Sequence, residues 1–134
     1  MYLLTNYLVM VGFFKRRKIL KSTSALDLIP IRIHNHNISD EGLVTILIPK
    51  FKNEKFARFF IPARKSIYIS IHLDELGSSV WLAIDGSKSV ESICGELIEK
   101  FGDKIHPAEE RIVKFLTGLY HNKHITFKQI EVNN

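Results

Sequence analysis

The sequence predicts an α+β domain of winged-helix-like order, with a three-stranded antiparallel sheet followed by three helices. Three observations predict it. Residues 28–33, 43–48 and 66–72 are β-branched or apolar runs, and the last of them alternates strictly. From Asp74 onward, apolar residues recur at helical spacing in three blocks, each opened by its own start residue. The length of 134 residues, with 46% apolar and 25% charged, suits one domain around one modest core.

Residues 1–14 are mostly apolar and run into Lys15-Arg16-Arg17-Lys18. A secretory signal carries its positive charge before the apolar run, so the order here is inverted. A membrane span takes about 20 apolar residues, more than this run supplies. Met10 reads as a start in its own right. Residues 1–22 are therefore expected to be an N-terminal extension, disordered or mis-started, and 23–134 the domain.

Leu28 to Ile33 and Leu43 to Ile48 are expected to pair as a hairpin. Asn35-His36-Asn37 and Ser39-Asp40-Glu41-Gly42 between them are turn residues. Residues 49–65 form a Phe-rich basic excursion, in which Phe56, Phe59 and Phe60 fall at i, i+3, i+4 ahead of Pro62. That spacing predicts one or two helical turns whose phenylalanines cover the sheet. The interleaved Lys50, Lys52, Lys55 and Arg58 also suit an anionic membrane or a nucleic acid, and the structural reading is preferred. Ser66 to His72 is the third strand, with Ile67, Ile69 and Ile71 on one face and Tyr68, Ser70 and His72 on the other.

The first helix takes Asp74 as N-cap, buries Leu76, Val80, Ala83 and Ile84, and ends on Gly86; it holds the single tryptophan, Trp81, expected inside. The second is capped by Ser89, buries Val90, Ile93, Leu97, Ile98 and Phe101, and stops at Gly102. Cys94 falls on its apolar face and reads as a core thiol; a lone cysteine also fits a reducing compartment, here the cytoplasm. The third starts with Pro107 at its first position and carries Ile112, Val113, Phe115, Leu116, Leu119 and Tyr120. That apolar arc spans roughly 160°, wider than one core-facing stripe requires, so part of the helix is expected to contact something besides its own core. Ile125 to Ile130 is a short terminal strand or extended tail.

No constellation for catalysis stands out. His34 with His36, and His121 with His124, have metal-compatible spacing without a third ligand nearby, and read as surface histidines. There is no Gly-rich phosphate loop, nucleophile elbow or zinc-type cysteine pair, so no catalytic residue, cofactor or metal is expected. Charge is uneven. Residues 15–65 hold twelve Lys/Arg against four Asp/Glu, and residues 66–134 hold seven against ten, within a net +5. The basic half suits nucleic acid, an anionic membrane or an acidic peptide.

Leu73-Asp74-Glu75-Leu76-Gly77, then Val80-Trp81, then Asp85-Gly86, followed by Ser89-Val90-Glu91-Ser92-Ile93, resembles the signature of the PqqD family. The resemblance extends from Ser66 to about Ile125. It implies a non-catalytic recognition element that binds the leader of a ribosomally made precursor peptide and presents it to a radical-SAM maturase. In the family the leader adds as an antiparallel strand beside the third strand, against the third helix. Carried onto this sequence, the peptide-binding residues are Ile67, Tyr68, Ile69, Ser70 and Ile71 on the strand, and Arg111, Val113, Leu116 and Tyr120 on the helix. Physics makes such a site sensible, because a free strand edge offers unpaired N–H and C=O groups while neighbouring pockets read side chains. The product, pyrroloquinoline quinone or another modified peptide, stays open, as does self-association. The runner-up is a winged-helix DNA-binding protein, suggested by the topology and a pI near 9.4. The carboxylates Glu109 and Glu110 on the third helix and Glu91, Glu96 and Glu99 on the second would face phosphates, which disfavours it.

Overall fold

The computed structural model describes residues 25–50 and 66–132. The basic N-terminal extension and the Phe-rich excursion lie outside them. By its internal contacts the chain forms two units, one of His34–Trp81 and one of Met1–Ile33 with Leu82–Asn134.

In the first of these, β2 (Asn35–Ile38), β3 (Val44–Pro49) and β4 (Tyr68–His72) form an antiparallel sheet in the order β2-β3-β4. The hairpin therefore differs from the expected one. Asn35-His36-Asn37 is a strand, with His36 opposite Ile46, and the reversal is confined to Ser39–Leu43. The turn explains why. Ser39 N–H donates to Leu43 O (2.9 Å), Gly42 N–H to Ser39 O (2.9 Å) and Leu43 N–H to Ser39 Oγ (3.1 Å). Gly42 takes φ +84°, a left-handed conformation that a side chain would disfavour. A reversal closed this tightly leaves Asn35–Ile38 free to pair, whatever its weak strand propensity.

One face of the sheet carries Val44, Ile46 and Ile67, all buried. Helix α1 (Glu75–Ala83) is fastened to this sheet at its start. Asp74 Oδ1 accepts from Gly77 N–H at 2.7 Å, the expected N-cap. Ser78 is buried, and its hydroxyl accepts from Val44 N–H (2.8 Å) and donates to Leu73 O (3.4 Å). It is thus inserted where the β3–β4 ladder would otherwise close, since Leu73 N–H already donates to Val44 O (2.9 Å). Trp81 is fully buried and meets the His36 ring edge-on, with centroids 6.1 Å apart.

The other unit contains β1 (Pro30–Arg32) paired with β5 (Ile125–Phe127), Ile31 opposite Thr126. The run expected to form the hairpin's first strand is thus claimed by the C-terminal segment. Gln129 holds the junction, its Oε1 accepting from Ile29 N–H (3.0 Å) and its Nε2 donating to Asp27 O (2.9 Å). The terminal tail is β5 followed by a short helix α4 (Lys128–Val132), and Ile130 is buried.

Helix α2 (Val90–Phe101) starts on Ser89, whose hydroxyl accepts from Ser92 N–H at 3.1 Å, and stops at Gly102 with φ 61°. Val90 N–H donates to Leu28 O (2.8 Å), tying that start to the segment before β1. Val90, Ile93, Cys94 and Leu97 are buried, whereas Ile98, expected inside, is 45% exposed. Burial pushes the Cys94 thiol above its ordinary pKa. After a 3-10 turn (Gly102–Ile105), α3 (Ala108–His121) runs from Pro107, which serves as its N-cap rather than its first residue. Ile112, Leu116 and Leu119 are its buried stripe.

Between α1 and α2 the Asp-Gly stop is a closed turn. Helix α1 ends three residues before Gly86, which takes φ +82° within the turn. Asp85 Oδ1 accepts from Ser87 N–H (2.9 Å), Lys88 N–H (2.9 Å) and Ser87 Oγ–H (3.0 Å). The Ser87 and Lys88 amides hold its carboxyl down to about 2. Lys88 Nζ in turn meets Glu96 at 2.9 Å, a surface pair of small energetic weight.

Candidate functional site

Two features carry the residues singled out from the sequence, one in each unit.

The first is the outer edge of β4, the end strand of its sheet among the described residues. Which main-chain groups face outward follows from the register. Lys50 N–H donates to Ile67 O (2.8 Å) and Leu73 N–H to Val44 O (2.9 Å), so both are hydrogen-bonded pairs of the β3–β4 ladder. Antiparallel pairs alternate, which assigns Ile69–Ile48 and Ile71–Ile46 to the same class. The N–H and C=O groups of Ile69 and Ile71 are therefore turned to β3. Those of Tyr68, Ser70 and His72 point away from it. The Tyr68 N–H donates to Ser66 Oγ (3.0 Å), leaving Ser70 and His72 as the outward donors.

The side chains divide by face. Ile67 is buried and belongs to the core, Ile71 is half-buried, and Ile69 is 52% exposed. On the other face Tyr68 is half-buried, and Ser70 and His72 are exposed. His72 Nδ1 lies 2.9 Å from Thr45 Oγ1, which orients the imidazole across β3.

The second feature is a small cleft on α3, of about 70 Å³, that opens to solvent. It brings Val113, Leu116 and Tyr120 together, with Leu116 at its buried floor and Val113 and Tyr120 half-buried at its walls. Ala25, Leu28, Val90, Thr117, His121 and Phe127 complete the lining. The Tyr120 ring packs against Phe127 with centroids 5.2 Å apart. Burial lowers the pKa of His121, favouring its neutral form beside this apolar wall. The added residues escaped the sequence reading because the β1–β5 pairing assembles them from both ends of the chain. Arg111 does not line the cleft; it is exposed and its Nη1 donates to Lys104 O (3.3 Å), bracing the 3-10 turn.

Among the described residues no three His, Cys, Asp or Glu side chains group as a metal site. No helix there is long and apolar enough to cross a membrane. What the two features offer is main-chain pairing at one and apolar docking at the other.

No curated protein and no solved structure matches the chain significantly. The family model described as Coenzyme PQQ synthesis protein D (PqqD) matches residues 63–125, a span that contains β4, α1, α2 and α3. Over that segment, a little under half of its length, the chain is similar to the PqqD family.

Proposed function

We propose that this protein is a non-catalytic adaptor that binds the leader of a ribosomally made precursor peptide by strand addition and hands it to a radical-SAM maturase. The observation that carries the peptide part is the orientation of β4. Its outward Ser70 and His72 amides and the alternating carbonyls form a ready template for an extended chain. The α3 cleft, with Val113 and Tyr120 at its walls, is a second receptor for apolar side chains of the leader. The maturase as partner rests on the similarity of residues 63–125 to the PqqD family. Exposed Glu91, Glu96 and Glu99 on α2 and Glu109 and Glu110 on α3 speak for a peptide over DNA as the ligand.

The test is titration with the leader of any short precursor peptide found encoded beside this gene, followed by calorimetry. Ser70→Pro removes an outward N–H without taking a bond from β3, so it should leave the fold intact and weaken binding about tenfold or more. Ile69→Pro is the unsuitable probe, because the Ile69 N–H belongs to the β3 ladder. Val113→Asp places a charge in the cleft wall and should weaken binding by at least as much. Circular dichroism establishes that each variant is folded. A folded Ser70→Pro that binds as tightly as wild type excludes strand addition at β4, and a folded Val113→Asp that does so excludes the cleft.

A further inference from the structure

We infer that the β4 edge selects its peptide by register, taking an extended segment in which two apolar residues, two positions apart, lie opposite Ile69 and Ile71 around a ladder centred on Ser70. This rests on the peptide-binding reading and adds to it the pattern that the site recognises. An antiparallel strand added to β4 makes hydrogen-bonded pairs opposite Ser70 and His72, whose main-chain groups point outward. Opposite Ile69 and Ile71 it makes non-hydrogen-bonded pairs, whose Cα atoms approach to about 4.5 Å rather than about 5.5 Å. Side chains meet most closely at those narrow pairs, so chemistry selects there. Ile69 and Ile71 sit beside Ile48 and Ile46 on β3. An apolar residue opposite each would extend two apolar rows already two strands wide. A polar residue there would lose hydration against isoleucine and gain no partner. On the opposite face Ser70 and His72 are exposed and polar, so the residue between the apolar pair is free to be polar.

The ladder is also short. Ser66 Oγ already takes the Tyr68 N–H, and β4 ends at His72. An edge of five residues offers only a few main-chain bonds, which matches a short extended peptide as the occupant.

The experiment uses two fluorescein-labelled nonapeptides of identical composition. In one, valine and isoleucine are two positions apart in a serine–threonine background; in the other they are adjacent. Binding to the full-length protein is read by fluorescence anisotropy and by the amide resonances of Ser70 and His72. The spaced peptide should bind about tenfold tighter and shift both resonances. N-methylating the residue between its apolar pair should remove binding, whereas N-methylating either apolar residue should leave it unchanged, because those amides point away from β4. Ile69→Lys, at an exposed position, should erase the preference for the spaced peptide while the melting temperature holds. Equal affinities with both resonances shifting would overturn the register and leave strand addition standing. If neither peptide moves Ser70 or His72, both the register and strand addition fall. Shifts that grow with protein concentration alone would show a second copy on the edge and overturn the inference.

Discussion

Replacing Ser78 by alanine removes a hydroxyl that stands between two main-chain groups of the sheet. Ser78 is 2% exposed, and its Oγ is the acceptor for Val44 N–H at 2.8 Å. Truncation leaves that buried donor without its partner, at a cost of about 1–3 kcal/mol. Alanine returns up to about 0.5 kcal/mol of helix propensity within α1. The longer 3.4 Å bond to Leu73 O contributes little, because a carbonyl tolerates under-satisfaction better than an N–H does. The expected net loss is about 1.5 kcal/mol, or a fall in melting temperature of roughly 4–8 °C for a domain this small. Urea denaturation followed by Trp81 fluorescence measures the loss, and hydrogen exchange at the Val44 amide locates it. If melting stays within about 1 °C and the Val44 amide stays protected, the ladder closes directly onto Leu73 and the inserted hydroxyl is dispensable.

Trp81→Ala empties a fully buried site beside the His36 ring and should cost about 3–5 kcal/mol; near-wild-type melting would contradict its role in the core. Asp85→Asn tests the turn between α1 and α2. The Asp85 carboxyl is held at about 2 against an ordinary 3.8, so its charge stabilises the fold above 3.8 and that contribution is lost as pH falls toward 2. The wild type's lead over Asp85→Asn in urea midpoint should therefore shrink across that window. A gap constant from pH 5 to pH 2 would mean the charge is not coupled to folding.

Signals confined to a few residues were legible in the sequence. The caps at Asp74 and Ser89 and the stop at Gly102 need only a hydroxyl, a carboxylate or a missing Cβ at one place, and each occurs as expected. Alternation along residues 66–72 gave the faces of β4, and the wide arc of α3 pointed to the cleft between Val113 and Tyr120. Long-range choices were not legible. Residues 30–32 look like any β-branched run, and nothing local says that they pair with 125–127 rather than with 43–48. Asn35-His36-Asn37 reads as a turn by propensity, and a tight Ser39-centred reversal overrides it. Ile98 fits the apolar spacing of α2 but sits past the margin of the covered stripe. The sequence also could not say which alternate amides of β4 face outward. Side-chain parity is intrinsic to a strand, whereas main-chain parity depends on its neighbour's register, here fixed by the Lys50–Ile67 bond.

The sheet has two ends, and the physical case for β4 as the binding edge rests on how differently the two are finished. Free edges invite unwanted pairing, and proteins usually blunt them. β2 is blunted: it is four residues long, three of them Asn or His, and it runs straight into the Ser39 turn. A chain added there would find few side chains suited to close pairing. Among the described residues, Ser66 covers the start of β4 by taking the Tyr68 amide. Beyond that point two outward amides and a half-exposed Ile69 remain, on a strand whose β-branched residues hold it extended. Apolar surface on an edge that no described strand pairs carries an aggregation hazard that a polar residue at position 69 would remove. Its retention is accounted for if the edge spends part of its time filled. The same reasoning makes solubility a readout: Ile69→Lys should raise the concentration at which the peptide-free protein precipitates, and saturating peptide should do the same for wild type. Failure of both would leave Ile69 as an unremarkable exposed isoleucine and weaken the case for β4 as the receptor.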